Sequence, residues 1–207
     1  MATFNPRSQR AWTQIHAVAE RGGVTVEPVP VLFAALLGAH GTRGPAEVPA
    51  RRAYLIRDVA RLAHRFGVPL SPPPAHPFNP LLALRVASLP LPADQRRALV
   101  DALFTAAWAD GTGLEPATVA AIAGRVGLAA DALEQAEQPA AKARLRAQCD
   151  RAITEGIFGV PTCTIRGQMF FGCDSLPHLE YFLAHGDVVP HDLVARWANL
   201  PASASRR

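Results

Sequence analysis

The chain has 207 residues, 49% hydrophobic and 18% charged, with a net charge of +4, enough for one substantial core, alone or with an inserted module. Lysine occurs once, at Lys142, and the arginines are spread along the chain, a pattern of solvated helix faces that argues against a nucleic-acid partner. Met1 to Arg21 lacks the apolar stretch of a secretory signal, and the longest apolar run, Val29 to Gly38, is too short to span a bilayer, so a cytoplasmic protein with no membrane partner is expected.

In chain order, Ala2 to Asn5 is a candidate first strand, very short because Pro6 follows. Ser8 to Arg21 places Ala11, Trp12, Ile15, Val18 and Ala19 at helical spacing, and Gly22-Gly23 ends that helix. Val24 to Glu27 alternates between Gly-Gly and Pro28, the pattern of a strand. Val31 to Leu37 reads as a short helix, and Arg51 to Phe66 as a longer one with Tyr54, Leu55, Val59, Leu62 and Phe66 on one side. After the stiff Pro72-Pro73-Pro74 and His76-Pro77 stretch come predicted helices over Leu81 to Ser88, Ala93 to Trp108, Glu115 to Gly124 and Ala130 to Glu137. Gln138 to Glu155 is a further helix, two short strands follow Pro161, and Ser175 to Ala184 closes the unit. Beyond His185 only Asp192 to Leu200 reads as a helix, before a Ser/Ala/Arg end expected to be disordered.

The order is β-α-β, a helical block, then α-β-β-α. The expected units are residues 1–38 with 138–186, a helical insertion over 39–137, and a tail over 187–207.

Cys149, Cys163 and Cys173 include no C-x-x-C, so neither a dithiol pair nor a four-cysteine zinc site can be written. Cys163 reads as core, whereas Cys173 beside Asp174 is ambiguous. His40, His64 and His76 lack ligand spacing, and no metal is expected.

The richest stretch is Gly156 to Asp174, with Val160-Pro161-Thr162 opening a short strand, a tight turn, a second strand and an acidic residue. Pro161 donates no N–H and pushes Val160 toward an extended shape. Two readings of it stay open: a trans proline that begins an edge strand, or a cis bond that turns the Val160 backbone outward to pair with an extended peptide. This stretch resembles the thiol site of thioredoxin-like folds. Together with Val31 to Leu37, Gly44 to Arg52 and Pro73 to Pro80, it resembles the 2-hydroxychromene-2-carboxylate isomerases, which are similar to kappa-class glutathione transferases within the DsbA-like superfamily. Four motifs in order cover roughly Thr3 to Leu183.

The resemblance implies an α/β thioredoxin-like fold with an inserted all-helical domain. It also implies glutathione as cofactor and an aromatic carboxylate as substrate, isomerised by reversible thiol addition in aromatic degradation. Its site would hold a serine at the end of the first strand, matched without a gap by Ser8, with Trp12 at the aromatic position. In that alignment Asn5, Pro6-Arg7 and Gln9 depart from the family pattern. A shifted register would match Asn5-Pro6 to the family's Ser-Pro and leave no hydroxyl donor. Val160 and Pro161 would pair with the cysteinyl part of glutathione, and Asp174, between Cys173 and Ser175, would take the γ-glutamyl ammonium. Arg51, Arg52 and Asn79 would meet the substrate, since guanidinium can grip a carboxylate in two-point fashion.

Each residue also has a plainer reading. Ser8 and Asp174 could cap helices, Asn79 could shape a turn, and Arg51 and Arg52 could be surface charges at a helix start. The rival functions are a kappa-type transferase and a non-catalytic thioredoxin-like binding protein. A disulfide oxidoreductase lacks its dithiol. A homodimer is expected from the transferase resemblance alone.

Overall fold

The coordinates, a computed structural model, describe residues 5–201 and 203. Helix α1 (Pro6–Arg21) starts two residues earlier than its apolar spacing predicts, because Asn5 caps it and Pro6 occupies its first position, where proline's fixed φ favours the helix. Its buried face is Ala11, Trp12, Ile15, Val18 and Ala19, which packs toward α9 (Leu176–His185). A Cβ on Gly22 would lie 2.5 Å from Leu183, so glycine permits this close approach at the end of α1.

The strand predicted over Val24 to Glu27 is not found among the described residues; the segment carries no sheet ladder. Alternation sets which side chains face inward, but a strand also needs a paired neighbour, and among the described residues Val24 to Glu27 have none. The expected first strand falls on residues 1–4, outside the described residues, and on Asn5, which is the cap of α1.

Next come α2 (Phe33–Ala39) and α3 (Pro49–Phe66). Of the predicted face of α3 only Val59 is buried, while Tyr54 is 60% exposed. The helix rests on α1 through Val59, Leu62 and Ala63, which line a small crevice between the two, and leaves its N-terminal half on the surface.

The block continues with α4 (Leu81–Ala87) and α5 (Ala93–Phe104). Thr105–Ala109 is a π-helical turn, so the helix expected to run to Trp108 changes pitch first. Asp110 N–H reaches Thr105 O at 2.9 Å, the five-residue bond of a π turn, and Trp108 is buried. Helices α6 (Pro116–Arg125), α7 (Ala132–Glu137) and α8 (Pro139–Thr154) lead to the hairpin.

Strand β1 (Thr162–Ile165) pairs antiparallel with β2 (Gln168–Phe171), Thr162 opposite Phe171 and Ile165 opposite Gln168. Arg166 and Gly167 join them, with φ of +49° and +77°, the left-handed pair that a two-residue hairpin turn requires. A 3-10 turn, Cys173–Ser175, leads into α9. The final helix, α10 (His191–Ala198), has no buried residue. The predicted disordered end lies mostly outside the described residues.

One continuous apolar core runs from Trp12 and Val18 through Leu84, Leu99 and Leu103 to Ile157 and Leu179. It holds the N-terminus of α1 against the hairpin and its 3-10 turn. No helix among the described residues is long and apolar enough to cross a membrane.

Candidate functional site

Three backbone segments that are distant in sequence converge at the N-terminal end of α1. The first is that end itself. Asn5 Oδ1 accepts Ser8 N–H at 2.8 Å, so Asn5 is the cap, and the plainer reading of Ser8 as cap is corrected. Ser8 lies in the first turn, 1% exposed, and its buried Oγ has no hydrogen-bond partner.

The second segment is the loop before β1. The Val160–Pro161 bond is cis. Thr162 Oγ1 donates to Gly159 O at 2.7 Å, and Gly172 N–H donates to Pro161 O at 2.9 Å, so both flanks of the loop are fixed. Val160 is buried, yet among the described residues neither its N–H nor its C=O is hydrogen-bonded. Buried main-chain groups are nearly always paired, and this pair is left for something outside the described fold. Ser8 and Pro161 line one cavity of about 150 Å³, with Trp12, Ile15, Cys163 and Leu179 among its apolar walls.

The third segment is the 3-10 turn. Buried Cys173 accepts a hydrogen bond from Arg10 Nη1 at 2.8 Å, which ties the turn to α1. The Arg10 guanidinium also lies over the Phe66 ring, 4.1 Å from its centroid, a cation–π contact. Arg7 pairs with Asp58 of α3 at 2.8 Å. Ser175 Oγ donates to Gly172 O at 2.8 Å. Asp174 is exposed and makes no hydrogen bond among the described residues, so its carboxylate is available for a cation, and it does not cap α9.

The remaining predicted residues cluster on the helical block. Arg51 and Arg52 are exposed at the start of α3. Arg52 Nη2 donates to His76 O at 3.3 Å, which anchors the loop carrying Asn79. Asn79 Oδ1 accepts Leu81 N–H at 3.0 Å, the turn-forming role of its plainer reading. No contact among the described residues joins these three to the Val160–Pro161 loop.

Burial pushes the thiols of Cys163 and Cys149 above the ordinary range, so neither is a ready nucleophile at neutral pH. The described residues thus bring together two unpartnered main-chain groups at Val160, an unpartnered buried hydroxyl at Ser8 and a free carboxylate at Asp174, groups whose complements are an extended peptide, a hydrogen-bond acceptor and a cation.

The DsbA-like thioredoxin domain model matches residues 4–184. A 2-hydroxychromene-2-carboxylate isomerase from Sphingobium xenophagum is 30% identical over 186 residues, 87% of this chain and 93% of that protein. The chain belongs to the 2-hydroxychromene-2-carboxylate isomerase family of DsbA-like proteins.

A second isomerase of that name, from Pseudomonas putida, is 27% identical over 86% of this chain and 88% of its own length. A solved 2-hydroxychromene-2-carboxylate isomerase superposes with a TM-score of 0.80 at 25% identity, covering 96% of each chain. The fold is thus the DsbA-like thioredoxin fold, and its relatives in this family are isomerases. Similarity to a kappa glutathione S-transferase from Caenorhabditis elegans, 38% identical, spans 52 residues, or 25% of this chain and 23% of that protein.

Sequence reasoning passed over the cap role of Asn5 and any role for Arg10. The first had a signal, since asparagine followed by proline marks a helix start. The second had none, because Arg10 and Cys173 are 163 positions apart and only the fold joins them.

Proposed function

We propose that this protein is a glutathione-dependent isomerase acting on 2-hydroxychromene-2-carboxylate or a related aromatic-degradation intermediate. The observation that carries this reading is the Val160 backbone, unpartnered among the described residues, next to Pro161, a residue that lines one cavity with Ser8, whose buried hydroxyl has no partner, in a chain of this family. When bound, glutathione supplies a thiol whose reversible addition to the conjugated carbon lets a double bond rotate.

The protein's residues do the rest. Val160 N–H and C=O pair with the cysteinyl backbone and hold the sulfur at the mouth of α1. Ser8 Oγ donates to the sulfur, a bond that is stronger to the ionised form. The positive end of α1 favours the same charge. Asp174 takes the γ-glutamyl ammonium, and Ser175 keeps the adjoining turn in shape through Gly172 O. Cys173 fixes that turn to α1 through Arg10. Arg51 and Arg52 meet the substrate carboxylate from the side of α3, with Asn79 shaping the loop beside them.

The test is turnover of 2-hydroxychromene-2-carboxylate with and without glutathione, followed by the substrate's ultraviolet absorbance. Glutathione-dependent isomerisation that falls in Asp174→Ala supports the reading; wild-type protein inactive with glutathione refutes it. Conjugation of an electrophile in place of isomerisation would establish the transferase reading, which the short kappa-class similarity favours. Glutathione binding without either reaction would establish a binding protein. The proposed setting is cytoplasmic and the proposed assembly a homodimer, which light scattering checks.

A further inference from the structure

The segment Val24 to Glu27 keeps the in-and-out pattern of a strand without a ladder. Val24 and Val26 are half-buried while Thr25 and Glu27 are exposed. No main-chain group of Thr25, Val26 or Glu27 is hydrogen-bonded among the described residues. Strand β1 has the matching property on its outer edge. Gly172 N–H donates to Pro161 O, and Arg166-Gly167 is a two-residue turn, so Cys163 and Ile165 are the residues that exchange main-chain bonds with β2. Thr164, between them, turns its N–H and C=O away from β2, and among the described residues no other strand pairs with β1.

These two extended segments line the same cavity. Its volume of about 150 Å³ is bounded by Val24 to Val29 and by Pro161 to Ile165, with Ile15, Val18, Leu179 and Leu183 as apolar wall from α1 and α9. Unpaired strand edges are templates for a further strand, and an extended peptide brings N–H and C=O groups to both of its neighbours at the strand repeat.

We propose that this cavity is a strand-addition site, in which an extended segment of another polypeptide, apolar at alternate positions, enters between Val24–Glu27 and β1 and pairs with the main chain of both. Each flank offers four residues, so the inserted segment is about four to five residues long. Its apolar side chains, on one face because strand side chains alternate, turn to Ile15, Val18 and Leu179. The thiol seat proposed above uses the Val160 main chain, on the other side of Pro161 from Thr164, so the two sites draw on different groups of one loop.

The probe is the peptide acetyl-Lys-Val-Thr-Val-Thr-Val-Lys-amide. Its control carries proline in place of the central valine, which removes one N–H and cannot continue a ladder. Binding to the full chain is measured by calorimetry, and amide exchange followed by nuclear magnetic resonance shows where the peptide sits. The valine peptide is expected to bind at least about tenfold more tightly than the proline peptide, the worth of one or two main-chain hydrogen bonds. It should also slow exchange at Thr25 to Glu27 and at Thr164. Thr164→Pro removes the outward N–H and leaves the bonds to β2 in place, so it should melt close to wild type and bind the valine peptide about tenfold more weakly. Two peptides that bind alike, or no binding of either, would overturn the proposal. So would amides at Thr25 to Glu27 and Thr164 that already exchange slowly in the free protein, because their partners would then lie within the chain itself.

Discussion

The hydroxyl of Thr162 sets the shape of the loop on which the proposed glutathione site depends. Thr162 is 1% exposed, and its Oγ1 donates to Gly159 O at 2.7 Å. Replacing it by valine keeps the volume and removes the donor, which leaves the Gly159 carbonyl without this partner. A buried polar group stripped of its partner costs about 1–3 kcal/mol. In a chain of this length each kcal/mol is worth roughly 2–4 °C, so Thr162→Val is expected to melt roughly 2–12 °C below wild type. Thr162→Ser keeps the donor and loses one methyl, about 1 kcal/mol. Urea unfolding followed by circular dichroism measures stability, and calorimetry measures glutathione affinity. Because Gly159 precedes Val160, affinity should fall further in the valine variant than in the serine variant. A Thr162→Val protein within about 0.5 kcal/mol of wild type, the range of a neutral surface change, would refute the reasoning.

Three further outcomes are expected. In Gly159→Ala the new Cβ would lie 2.6 Å from the Phe171 ring, which packs on Phe158 at 4.8 Å between centroids; overpacking of this kind costs about 1–3 kcal/mol and should weaken glutathione binding, read by thermal melts and calorimetry. Arg51→Gln removes an exposed charge, so melting should stay unchanged while KM for the carboxylate substrate rises several-fold and loses part of its salt dependence, as steady-state kinetics at two ionic strengths would show. Burial, aided by Arg97 and Arg52, holds His16 and His76 below the usual imidazole range. The unfolded chain therefore takes up their protons first, and stability is expected to fall as pH drops below about 6.5, levelling off below the folded values. Urea midpoints between about pH 7.5 and about pH 5 check this, and His76→Gln should flatten the slope.

The helical face of α1 was legible because five apolar side chains at 3.6-residue spacing have one place to go. The hairpin was legible for a similar reason: β-branched and aromatic residues flank Arg166-Gly167, and such a pair suits a tight turn. The face of α3 misled, since the same spacing occurs on a helix that touches its neighbour over part of its length. Periodicity reports which residues share a side, not whether anything covers that side. The π turn before Trp108 had no signal, because a change of pitch depends on packing.

By itself the sequence determined the family, the helix of α1 and the order of helices and hairpin from Val31 to His185. Those are properties of short range, carried by neighbours along the chain. Only the tertiary structure decided that Ser8 is enclosed with its hydroxyl unused and that Arg10 holds Cys173. Such facts depend on which distant groups meet and which polar atoms are left over when they do, and burial, not spacing, makes a leftover polar atom costly enough to signal a ligand.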